Sequence, residues 1–137
     1  MADLSQTRAN VAIGGPASVQ WAICGEAVLQ GQPGYQDTST GKWMKAANTS
    51  QAAAKAACFF MSPGSGDGAY VLILRGNGIL INLGATLVVG KTYVVSGSGA
   101  IIELSELTST KWISHLGNAI SSLLLRTKFN ITDTQVP

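Results

Sequence analysis

From residue 70 onward the chain alternates short apolar runs with glycine, at 70–74, 78–83, 86–89, 92–95 and 100–104. These runs are largely β-branched. Such side chains pack well on a pleated surface, so a regular train of them between glycine-bearing turns predicts a small β-barrel or β-sandwich. Earlier in the chain, the apolar residues of 19–30 are divided by Gly25 into two short β candidates. "GQPGY" at 31–35 and "TSTGK" at 38–42 carry turn chemistry, and Trp43 and Met44 open another half-buried segment. Only "NTSQAAAKAACFF" at 48–60 favours helix, with Asn48, Thr49 or Ser50 as a cap before the alanines. The run is too short for a stable isolated helix, and 58–61 reads as a strand, so one helical turn is expected there.

Two segments carry other signals. Residues 1–20 are polar and then extended, with Gly14-Gly15-Pro16 forming a bend, and read as an N-terminal arm. Residues 111–125 fit two patterns. Ile113, Leu116, Ile120 and Leu123 lie at helical spacing, while Trp112, Ser114 and Leu116, followed after Gly117 by 119–125, fit two strands joined at a bend. Gly117 costs a helix about 1 kcal/mol relative to alanine, which tilts the balance to strands. The boundaries that follow are an extended arm over 1–20, a compact β domain over 21–126 and a tail over 127–137. The tail begins β-like, suited to pair along an edge or lie on a neighbouring subunit.

Composition narrows the classes. A chain of 137 residues with 46% hydrophobic residues is long enough for one core without disulfides or metal. Charged residues make up only 12%. That leaves much neutral surface, which favours self-association. The net charge of +2 comes from nine Lys and Arg that form no basic run, which argues against a nucleic-acid partner. The longest apolar stretches are interrupted well short of the ~18 residues a membrane span requires. "MADLSQTRAN" lacks the apolar core of a secretory signal, so synthesis and assembly are expected in a cytoplasm.

Little in the chain resembles catalytic machinery. Cys24 and Cys58 are too few and too far apart for a metal or redox motif, and read as buried thiols. His115 is the only histidine and has no nucleophile-elbow serine to serve. Glu103 and Glu106 sit close enough in sequence for an acid and base pair but read as solvated carboxylates. Asp67 lacks companion acids at calcium-ligand spacing. The glycine-rich loop at 62–68 lacks the Lys-Ser or Lys-Thr pair of a phosphate-binding loop and reads as a hairpin connection. Trp21, Trp43 and Trp112 are candidates for core or interface anchors. No catalytic residue, cofactor or metal is expected.

The order of segments carries a further signal. "GEAVLQ" at 25–30 is followed by "GKWMKAANTS" at 41–50 and the alanine-rich entry to "CFFMSP". A G-x-x-L-x-x-G-x-x-Y-x-x-S series then runs through Gly84, Leu87, Gly90, Tyr93 and Ser96, and an L-G-x-A closes it at Leu116, Gly117 and Ala119. Over residues 20–126 this plan resembles the capsid decoration, or cement, proteins of tailed bacteriophages. The resemblance implies strands around a bend at Gly117. It further implies a non-enzymatic homotrimer on the outer surface of the virion, where it binds the major capsid protein and holds neighbouring capsomers together. The arm, through Arg8, Val11 and Ile13, is then the expected attachment device, with the loop residues Gly64 and Asp67 as a second candidate. Competing readings are a phage tail or baseplate component, and a small hydrolase or carbohydrate-binding module stacking sugars on Trp43 or Trp112.

Overall fold

The computed structural model describes residues 3–14 and 19–137, apart from the side chain of Asp133. Gly15 and Pro16 of the expected bend lie outside the described residues. The chain is all-β. Its strands are β1 (Val11–Ile13), β2 (Val19–Ile23), β3 (Pro33–Gln36), β4 (Trp43–Lys45), β5 (Cys58–Phe60), β6 (Tyr70–Arg75), β7 (Leu80–Leu83), β8 (Thr92–Val95), β9 (Ile101–Glu103), β10 (Trp112–Ala119) and β11 (Leu124–Gln135). Single 3-10 turns stand at Arg8–Asn10 and Leu104–Glu106.

The strands form two antiparallel sheets. One has six strands in the order β1-β7-β11-β10-β8-β9, and the other has five in the order β2-β6-β5-β3-β4. The main core lies between them. Phe59 and Leu74 come from the five-stranded sheet, and Ile81, Leu83, Tyr93, Val95, Ile101, Leu116 and Leu125 from the six-stranded one. Alternation along β5 and β6 sends Cys58, Phe60, Val71 and Ile73 to the opposite face, where Cys24, Val28 and Trp43 cover them as a second cluster. Each fully buried large side chain contributes about 1.5–3 kcal/mol, so a sandwich with these two clusters is a rigid body.

Several segments differ from the pattern-based expectation. The run at 86–89 is a loop, because Leu87 turns into the core and Val88 N–H donates to the Tyr93 hydroxyl at 2.9 Å. "GQPGY" holds strand β3, with Pro33 at the first strand position, where its missing N–H costs least. At 48–60, Ala54 N–H donates to the Ser50 carbonyl (3.1 Å) and Ala53 N–H to Ser50 Oγ (3.2 Å), but this turn does not propagate before β5. The strand reading of 111–125 holds. Gly117, however, is a bulge inside β10 where the register to both β8 and β11 shifts, and the chain reverses at 120–123.

The arm and tail are parts of the body. Leu4 N–H donates to Ile101 O (2.8 Å) and Thr7 N–H to Gly84 O (2.6 Å), while β1 pairs with β7 from Val11↔Leu83 to Ile13↔Ile81. Leu4 and Val11 pack against the main core. Residues 127–135 continue β11 alongside β10, so the edge pairing foreseen for the tail occurs within its own chain.

Candidate interaction surface

Strand β2 reads Val-Gln-Trp-Ala-Ile and forms because apolar residues alternate at positions 19, 21 and 23. It pairs with β6, with Val19 opposite Leu74, Trp21 opposite Leu72 and Ile23 opposite Tyr70, and just past its end Cys24 bridges Trp43 of β4, with Gly25 N–H donating to Trp43 O at 3.0 Å. Cross-strand partners share a face. That face begins at Leu74 in the main core, passes half-buried Leu72 and emerges at Tyr70, which is 69% exposed. Trp21 beside it is 67% exposed, and Val19 and Ile23 are also open to solvent. The core-facing side of the five-stranded sheet therefore runs out past the opposing sheet into an uncovered apolar strip.

A second apolar surface lies on loops of the six-stranded sheet. The β7–β8 loop and the β10–β11 turn are bound together by Leu87 N–H to Ser122 O (2.8 Å), Gly90 N–H to Ala119 O (2.8 Å) and Ala119 N–H to Lys91 O (3.0 Å). Ser121 Oγ accepts from the N–H groups of Leu123 and Leu124. With the two loops tied by these bonds, Val88, Val89 (61% exposed), Ile120 and Leu123 (56% exposed) are left outside on a held tip.

The residues expected to attach the protein do not gather. Arg8 Nη1 donates to Gln6 Oε1 (2.8 Å) and Gln30 O (3.2 Å), and its partial burial lowers the guanidinium pKa from its ordinary value. Val11 is packed on the core, and Ile13 is partly exposed on β1. Gly64 is buried and exchanges both backbone hydrogen bonds with Val28. Asp67 lies exposed in the same loop, 2.7 Å from Lys42 Nζ. Arg8, Val11 and Ile13 thus belong to the margin of one sheet, and Gly64 and Asp67 to a loop of the other.

The remaining candidates take structural places. Cys24 and Cys58 are buried free thiols, and burial pushes the Cys58 thiol far above its ordinary range. Trp43 is 4% exposed with Arg75 stacked 5.2 Å from its ring centroid, which removes it as a sugar platform, and Trp112 is half-buried. Ser114 is buried on the core side of β10, while half-exposed His115 has its pKa lowered by desolvation and by the charge of Lys128. Glu103 accepts from Ser105 Oγ at 2.7 Å and lies 3.9 Å from Lys91. Among the described residues, no three His, Cys, Asp or Glu come together as a metal-binding group. A hollow of about 570 Å³, open to solvent and lined by Ala27, Leu29, Lys45, Pro63 and Ser65, contains no nucleophile with a base.

Sequence reasoning recognised Trp21 as an anchor without separating core from surface, and it read Tyr70, Val88 and Val89 as scaffold. The available signal was the uncharged alternation of β2, which defines a face but not what covers it. Compared with protein-family models, curated proteins and solved structures, the chain matches none.

Proposed function

We propose that this chain is a capsid decoration protein of a tailed bacteriophage. In this reading it is a non-enzymatic module that binds the outer face of the assembled head, contacts the major capsid protein as a homotrimer and ties neighbouring capsomers together. The observation that carries the reading is the pair of uncovered apolar surfaces, the β2–β6 strip and the Val88–Val89–Ile120–Leu123 tip, on one rigid sandwich. A cement must touch at least two neighbours. Surfaces on different sheets allow that, whereas a single patch serves one partner. Apolar patches of a few hundred Å² mark interaction sites on soluble proteins. Repetition over a shell also lets each contact be individually weak, because neighbouring sites raise the effective concentration.

The tip is the surface assigned to the shell. Its side chains are exposed and its two loops are tied by backbone hydrogen bonds, so a charge there interferes with docking and not with folding. The test is co-sedimentation with empty expanded heads of the encoding phage. Wild-type protein is expected to bind saturably, and folded Val89→Asp and Leu123→Asp variants to lose most of that binding. Variants that bind like wild type would reject the tip assignment. Wild-type protein that ignores heads but binds isolated tails would replace the decoration reading with a tail component.

A further inference from the structure

Beside the tip, the outer face of the six-stranded sheet gathers hydrogen-bond donors. Alternation along β11 turns Leu125 and Thr127 inward and leaves Arg126 and Lys128 exposed on the outer face, roughly 7 Å apart along the strand. Asn118 lies across the ladder from Arg126, just past the bulge at Gly117, and Asn77 flanks β11 from the turn before β7. Bulges commonly re-aim side chains beside functional sites. A hollow of about 330 Å³, open to solvent, has Asn77, Asn118, Ile120, Arg126 and Lys128 in its lining.

The polar side chains around this hollow share one chemistry. Phe129 N–H donates to Asn77 Oδ1 at 2.8 Å, and Thr92 Oγ1 donates to Asn118 Oδ1 at 2.9 Å. Each amide has its oxygen engaged by its own chain, so what it has left to offer is an Nδ2 group, which only donates. Arg126 and Lys128 only donate as well. Ion pairs take up Lys42, Lys45 and Lys91 elsewhere, but among the described residues no carboxylate pairs with Arg126 or Lys128. Their charge is felt nearby, since the His115 pKa, lowered first by desolvation, is lowered further by Lys128.

A donor-only set beside two unpaired cations selects an anion. A guanidinium fork matches the two oxygens of a carboxylate, whereas nucleic acid calls for a longer basic stripe than this face carries. Ile120 both lines the hollow and belongs to the Val88–Val89–Ile120–Leu123 tip, so a partner docked on the tip has its margin over these donors. An apolar centre with a polar rim is the usual anatomy of an interface.

We infer that this hollow is a carboxylate-binding site for an Asp or Glu side chain of the protein that docks on the tip. Arg126 takes the carboxylate in a fork, Lys128 supplies a second charge, and the Asn77 and Asn118 Nδ2 groups fix its position. The apolar tip supplies burial, and the charge pair sets orientation and disfavours partners without an acid at that place. Naming the partner as the capsid protein rests on the decoration reading, while the preference for a carboxylate does not.

The probe is a hexaglutamate peptide titrated into the full chain at about 0.15 M salt, where diffuse attraction between exposed charges is largely screened. Binding is followed by NMR of the side-chain amides. The Asn77 and Asn118 Nδ2 signals are expected to shift saturably, and hexaglutamine to leave them in place. Folded Arg126→Gln and Lys128→Gln variants are each expected to weaken binding by about tenfold or more, while Lys55→Gln, at an exposed lysine before β5, leaves it unchanged. No shift at the two amides, an equal loss in Lys55→Gln, or tighter binding of a DNA duplex than of the peptide at these amides would overturn the site. Co-sedimentation with heads separates this inference from the decoration reading. Arg126→Glu is expected to lose most of the head binding shown by wild type, and a variant that binds heads like wild type would overturn the docking role. Wild-type protein that binds the peptide at these amides but ignores heads would remove the decoration reading and uphold the site.

Discussion

A methyl group added at Gly117 would strike the Arg126 carbonyl oxygen, because the β10 bulge brings that backbone directly against the glycine Cα. Relief requires separating β10 from β11 in the middle of the six-stranded sheet. Gly117→Ala is therefore expected to cost about 2–4 kcal/mol, read from denaturant midpoints at unchanged slope. At the adjacent bulge position, His115 titrates below its usual range because of desolvation and the Lys128 charge. The folded state then holds the proton less tightly than the unfolded chain, so stability falls as pH drops through about 6.5 and levels off below the folded value. Thermal melts between about pH 7 and 5 are expected to show this loss, and His115→Gln to flatten it. At this scale much was legible. Core places for the runs at 92–95 and 100–104 follow from their apolar residues, whereas in the Gly84, Leu87, Gly90, Tyr93 series that carries the family resemblance, Gly84 is a left-handed turn (φ 71°) held against Thr7 and the run at 86–89 is a loop that turns Leu87 into the core. The exposure of Trp21 was not legible, because alternation assigns a side chain to a face while the extent of the opposing sheet decides whether that face is covered.

Among elements, the runs at 70–74, 78–83, 92–95 and 100–104 correspond to β6, β7, β8 and β9 with ends moved by a residue or two. They were legible because propensity, alternation and turn residues agree there. The arm was not, since its partners are remote: Gln6 Nε2 donates to Gly31 O at 3.0 Å and to Leu83 O at 2.9 Å, 77 positions away. Polar residues that read as solvated are here spent on backbone carbonyls of the sandwich. Deleting residues 1–13 removes β1 and uncovers core around Leu83, so the truncated chain is expected to unfold at clearly lower denaturant concentration than wild type. Equal stability would mean that the arm contributes no packing. Loss of head binding by such a truncation would reflect the damaged body as readily as a lost contact, which makes point changes on the tip the better probe.

For the whole molecule, low charge and abundant neutral surface led to the expectation of association. The sandwich concentrates much of that surface into the β2–β6 strip and the loop tip, with Ile13, Leu29 and Ile131 exposed singly elsewhere. Both are held by short-range hydrogen bonds and core packing, so the body meets a neighbour without reordering, and little conformational entropy opposes docking. A rigid two-sided body is suited to carry load between shell units. The measurement that tests this most directly is the temperature at which DNA-filled heads burst, with and without saturating protein. The account predicts a higher bursting temperature with wild-type protein and no gain with the Val89→Asp variant. Heads coated with bound wild-type protein that burst at the temperature of bare heads would contradict it.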